Sequence, residues 1–147
     1  MHGDRRRAAL LAGVLVVAAT AGAVVGIGLR RGSAAEPFLA LGQALLSTRG
    51  GLVPLPWLAF VGGFAVHAAI MLALGGAFAL ATSRWAGAKL ATAAVACVLM
   101  ISVIAWRAGP LTLGVYGGVA ASQAEWVFLM VLLAVALYAG ARTSRVS

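Results

Sequence analysis

His67 is the one ionisable side chain inside the longest apolar run of the chain, Leu55 to Thr82. An imidazole in that position can donate one hydrogen bond and accept another, carry a proton, or ligate a metal or haem. Ionisable groups within an apolar span are expensive and usually face a bundle interior or a cavity. Gly63, Ile70, Met71 and Leu74 share its approximate helical face, and Thr20, Cys97 and Ser102 fall at middle or outer-middle positions of other apolar runs. The main expectation for His67 is a hydrogen bond between packed helices. Cofactor binding at His67, with haem as the ligand, is the minority expectation.

The rest of the chemical inventory is sparse. Met71 lies one turn from His67 on the same helix, so it cannot serve the opposite face of a haem, whereas Met100 comes from a different run. The only other histidine is His2, and a retained zinc site normally needs three or four protein ligands. Cys97 is the single cysteine, so no intrachain disulfide or CxxC pair exists, and a small buried hydrophobe is its expected role. The apolar runs contain no acid–base pair and no serine triad. The 19 glycines form neither GxGxxG nor a P-loop. No catalytic residue and no metal site is therefore expected.

The elements that carry these residues are set by composition. Hydrophobic residues make up 63% of the 147, and charged residues only 10%, against roughly a quarter in a soluble domain. Four runs approach or exceed the ~20 residues that a ~30 Å hydrocarbon core requires. They predict spans at about 8–29, 55–82, 89–106 and 125–141. The fold class expected is an all-α integral membrane protein, a four-transmembrane-helix bundle forming one transmembrane domain. The first run also has the look of a signal peptide, with basic residues before it and small residues at Ala19–Ala21. It continues to Leu29, which favours an uncleaved first span.

Between the first two spans, Glu36–Pro37 reads as a helix start, and Phe38, Leu41, Leu45 and Leu46 follow at helical spacing. This predicts a short amphipathic interfacial helix over 36–47, lying on the membrane surface or acting as a lid or docking element. The connection from Arg107 to Ala124 is glycine-rich but lipophilic, and Glu125 follows in the first turn of the last span, where a carboxylate suits the helix dipole.

Small residues predict the packing. Ala18, Gly22 and Gly26 recur every four residues in the first span, and Ala65, Ala69, Ala73 and Ala77 do so in the second. Such rows let helix backbones approach closely. The second span is accordingly expected at the centre of the bundle. The fourth, leucine- and valine-rich, is expected to face lipid most, and the short segment Ser83–Ala88 to join adjacent antiparallel spans.

The net charge of +8 would suggest nucleic acid in a soluble protein. Here the cations stand at the ends of apolar runs, where they set topology and meet anionic lipid. Seven of the 11 Lys and Arg fall on one side if the termini are cytoplasmic, so N-in and C-in in a plasma (inner) membrane is expected. The function expected is that of a non-catalytic integral subunit of a larger membrane assembly. Its partners would be other membrane subunits or copies of itself, with bound lipid. The alternatives are an oligomeric small-solute or ion channel or transporter lined by the second span, and a haem- or quinone-associated electron-transfer subunit using His67.

Overall fold

The computed structural model describes residues 2–47, 55–107 and 122–143, and these form helices joined by turns. α1 spans His2–Arg30, α2 Glu36–Ser47, α3 Pro56–Ala81, α4 Gly87–Arg107 and α5 Gln123–Thr143. Among the described residues, α1, α3, α4 and α5 are long and apolar enough to cross a membrane. The chain is thus an all-α, multi-pass membrane protein, with α2 as a shorter helix between the first two spans. The lipophilic character expected of the connection after Arg107 falls mainly on residues 108–121, outside the described set.

Local chemistry explains several helix ends. Gly32 adopts φ +96°, a left-handed conformation that glycine takes without a Cβ clash. Gly32 N–H donates to Leu29 O at 3.1 Å and Ser33 N–H to Gly28 O at 3.0 Å, so the last carbonyls of α1 are capped in a Schellman arrangement. Pro37 occupies the first turn of α2, and Pro56 opens α3, where the missing N–H costs nothing. At the other end of α3 the Thr82 hydroxyl donates to Phe78 O at 2.7 Å, and Trp85 N–H bonds Thr82 O to close the turn toward α4.

The packing order differs from the expectation. α1 and α3 together form the centre, α1 against α3, α5 and the start of α2, and α3 against α1, α2 and α5, while among the described residues α4 approaches α5 alone. Of the most apolar stretch of each span, 33% is buried in α1, 28% in α5, 22% in α3 and 17% in α4. The second span shares the centre with the first, since α3 also packs against α1, α2 and α5, and the last span is not the most lipid-facing. α3 and α4 share the short turn but no close backbone approach.

The small-residue rows explain why. Ala65, Ala69, Ala73 and Ala77 are all exposed, as are Ala18, Gly22 and Gly26. The row that α3 buries is Ala59, Gly63, His67, Gly75 and Ala79, offset by two residues from the alanine row. Two residues turn a helix by about 200°, so the two rows occupy opposite faces. α1 shows the same offset, burying Ala12, Val16, Thr20 and Val24.

At the buried rows the backbones nearly touch. A Cβ on Gly75 would stand 2.8 Å from Gly13 Cα and 2.9 Å from Val16 Cγ2, and one on Gly13 would stand 2.6 Å from Leu72 O. One on Gly140 of α5 would stand 3.0 Å from Ala12 O. Ala12 and Gly13 thus form a junction where α1, α3 and α5 meet. A second close crossing joins α2 to α3, where Gly42 abuts Ala59 and Gly63 abuts Phe38. The amphipathic pattern of 36–47 consequently serves protein contact more than a membrane surface: Phe38, Leu41 and Gly42 are buried, while Leu45 and Leu46 stay exposed.

Gly75→Ala is expected to destabilise the fold by about 1–3 kcal/mol, the usual cost of overpacking. Gly26→Ala, with nothing within 4 Å of its added methyl, is expected to be neutral or to stabilise by up to about 1 kcal/mol through helix propensity. Reversible unfolding in mixed detergent micelles would measure both.

Candidate functional site

His67 is 3% exposed and sits where α1, α2 and α3 converge. Its Nε2 lies 3.1 Å from Thr20 Oγ1 on α1. The Thr20 hydroxyl has one proton, and its shorter contact is to Val16 O at 2.8 Å, one turn back along α1. With that proton spent on Val16, the arrangement assigns Nε2–H as donor to Thr20 Oγ1. From α2, the ring of Phe38 meets the imidazole edge-on, with centroids 5.5 Å apart. Phe60 and Phe64 of α3 flank Phe38 at 5.9 and 5.4 Å. Aromatic rings in these tilted arrangements attract through their quadrupoles. α2 thereby covers His67 with an aromatic cap, and Gly63 makes room for the backbone that brings the cap in.

Of the expected neighbours, only Thr20 reaches His67. Ser102 donates within its own helix to Val98 O at 3.0 Å and lies beside Met130 Sδ of α5. Cys97 and Met71 pack against the apolar core around Leu90, Ala94 and Leu137. Met100 lies on the outward side of α4, 60% exposed, and α4 makes no close backbone approach to α3. The chain thus does not bring His67 and Met100 together as a pair of axial ligands, and Nε2 of His67 faces Thr20 rather than open space. No group of three or more His, Cys, Asp or Glu able to hold a metal ion occurs among the described residues.

A second polar site stands at the other end of α1 from His2. Arg30 reaches Glu125 Oε1 at 3.0 Å, and Arg31 reaches Oε2 at 2.6 Å. Two guanidiniums therefore share one carboxylate, each with its own oxygen. The Glu125 side chain is 14% exposed, Arg31 22% and Arg30 66%, so the Arg31 contact is the better shielded. Glu125 is placed by α5 itself: its backbone N–H donates to Ser122 Oγ at 3.2 Å, and Trp126 N–H to Ser122 O. Ser122 and Glu125 stand at the serine-to-glutamate spacing of a capping box. That spacing is visible in the sequence. The pairing with Arg30 and Arg31 was not, because it joins residues more than ninety positions apart.

Between α1 and α5 runs an open groove of about 470 Å³. Gly22, Gly26 and Ile27 line it from α1 and Phe128 from α5, with Arg30 and Glu125 also in its wall. A Cβ on Gly22 or Gly26 would meet nothing within 4 Å. Gly22 and Gly26 of the exposed small-residue row of α1 therefore form the floor of this groove, and Ala18 continues the row beyond it.

Comparison with protein-family models, curated proteins and solved structures finds no match to the chain.

Two outcomes test these placements. Thr20→Val keeps the volume but removes the hydrogen bond. It is expected to cost about 0.6 kcal/mol, the average for such bonds between membrane helices, and at most about 1.7 kcal/mol. His67→Ala adds a cavity beneath Phe38 and is expected to cost more, about 2 kcal/mol or above. A haem absorption band in the purified protein that vanished in His67→Ala would overturn the packing role. In double-mutant cycles, Glu125 is expected to couple to Arg31 by about 1.5 kcal/mol, as charged hydrogen bonds do, and to the exposed Arg30 by less than about 1 kcal/mol.

Proposed function

We infer that the chain is a non-catalytic integral subunit of a larger membrane assembly and that it receives a span of a neighbouring subunit along the α1–α5 groove. The observation that carries this reading is the open row of Ala18, Gly22 and Gly26. All three are exposed, and around the two glycines there is room for another backbone. Small residues at steps of four are the means by which membrane helices approach one another, since lipid tails supply no hydrophobic drive between helices. The equivalent buried rows in this chain are used in that way. The outward side of α4, with Val95, Leu99, Met100, Val103 and Ile104 all exposed, lies against lipid or a second neighbour.

The polar inventory supports a docking role rather than turnover. His67 is engaged with Thr20 under Phe38, and Glu125 with the two arginines. The helix order also sets the charge asymmetry. The start of α1, the turn from α3 to α4 and the end of α5 share one end, which carries Arg6, Arg7, Arg84, Lys89 and Arg142. In this reading that end is cytoplasmic and the membrane is the plasma membrane.

Gly22→Leu with Gly26→Leu fills the groove floor. The variant is expected to fold with unchanged helicity but to lose the larger assembly in native mass measurements after mild detergent extraction. A wild-type protein that is monomeric and shows turnover on its own would overturn the reading. So would an assembly unaffected by the double substitution.

A further inference from the structure

The turn between α3 and α4 carries a cleft of about 670 Å³, lined by Arg84, Trp85, Lys89, Thr92, Ala93 and Ala96, among others. We propose that this cleft binds one anionic phospholipid, with its phosphate held between Arg84 and Lys89 and the upper part of an acyl chain lying along α4.

Charge singles this cleft out from the opposite end of the bundle. There, Arg30 and Arg31 are drawn onto Glu125. Here, Arg84 and Lys89 are both exposed, make no ion pair among the described residues, and have no acid in the first turn of α4. No carboxylate lines the cleft. Two uncompensated cations at one apolar opening complement a phosphate diester. Near an anionic bilayer surface each such cation contributes separately to binding.

The remaining lining points to a lipid rather than to a free anion. Ala88, Thr92 and Ala96 recur at steps of four, so they form a row on one face of α4. The row runs about 12 Å at ~1.5 Å per residue, inside the stretch Gly87–Ile104 that is apolar enough to cross a membrane. Its small side chains leave a shallow channel leading away from the cations. Thr92 supplies a hydroxyl partway along, near the depth of a glycerol ester. Trp85 is 47% exposed at the mouth, in the amphipathic position that indole rings take at the headgroup level. A free phosphate would engage the two cations and leave the alanine row unused.

Binding can be read by native mass spectrometry of the full chain in detergent, titrated with phosphatidylglycerol or phosphatidylcholine. The wild type is expected to bind the anionic lipid roughly thirtyfold more tightly than the zwitterionic one, the scale set by two surface cations. Arg84→Gln with Lys89→Gln is expected to abolish that preference. Ala88→Leu with Ala96→Leu keeps both charges but fills the channel, and is expected to weaken phosphatidylglycerol binding severalfold. Arg6→Gln with Arg7→Gln removes the same charge from the same end and is expected to leave the preference in place, with circular dichroism confirming the helices in every variant. Equal binding of the two lipids by the wild type would overturn the proposal. An equal loss in the Arg6 and Arg7 control would reduce the effect to general surface charge and also overturn it. Displacement of phosphatidylglycerol by millimolar inorganic phosphate, with no effect of the alanine substitutions, would identify a free-anion site instead.

Discussion

The approach of three backbones at Ala12 and Gly13 is the constraint on which the rest of the bundle depends. In a bilayer the tails around a helix are as apolar as its own side chains, so burial gives little drive for one helix to leave lipid for another. Association has to come from dispersion contacts that lipid cannot match, and these grow steeply as the separation falls. Gly75 of α3 and Gly140 of α5 bring their helices onto α1 at the same level, where any side chain would collide with backbone. That level lies toward the end of the bundle that holds Arg6 and Arg142. Because α1 serves both contacts, it ties α3 and α5 together at this level.

Directional bonds then fix what close packing leaves adjustable. A smooth row of small residues tolerates sliding, whereas the Thr20–His67 bond sets the register of α1 against α3 near mid-span. At the far end, Glu125 holds α1 to α5 through two guanidiniums. That clamp needs α1 to stop after Arg31, which Gly32 achieves by turning left-handed, and it needs α5 to begin at Ser122, which caps the Glu125 amide. One glycine and one serine, through the helix ends they set, place the charges that join the two helices. The same end of α1 turns the chain into α2, whose Phe38 returns to cover His67. The histidine is therefore enclosed by three elements that share one cause, the termination of α1.

Much of this architecture was legible in the residues, and the failures have a common origin. Run length and missing charge identify four spans, and the Pro37 start and leucine spacing locate α2 at 36–47. His67 was recognisable as an interior group, and Thr20 as a possible neighbour, from depth alone. The choice of face was not legible. α1 and α3 each carry a buried row and an exposed small-residue row, two positions apart and hence on opposite sides. In α3 the buried row is the one that contains two glycines and the histidine, whereas the exposed row is alanine throughout. An alanine row costs little when it faces lipid, but glycine weakens a helix unless a close contact compensates. Glycine at helical spacing, together with a polar residue, was the more informative signal there. In α1 that signal fails, since Gly22 and Gly26 lie open while Gly13 and Gly28 are buried.

That exception bears directly on function. Gly22 and Gly26 incur the propensity cost of glycine in a helix interior with no close contact among the described residues to offset it. Ala18, on the same row, shows that alanine would fit this surface within one chain. What distinguishes glycine from alanine at such sites is the separation it allows from another backbone, and among the described residues no backbone takes that separation. The groove they floor is bounded by α5 and ends at the Arg30–Glu125 clamp, so a helix lying in it would contact both α1 and α5 while the clamp kept those two helices from spreading. Among the described residues the protein is thus closed by its own glycines at one level and left open by them at another, and in the docking reading proposed above a neighbouring span completes the packing at the open level.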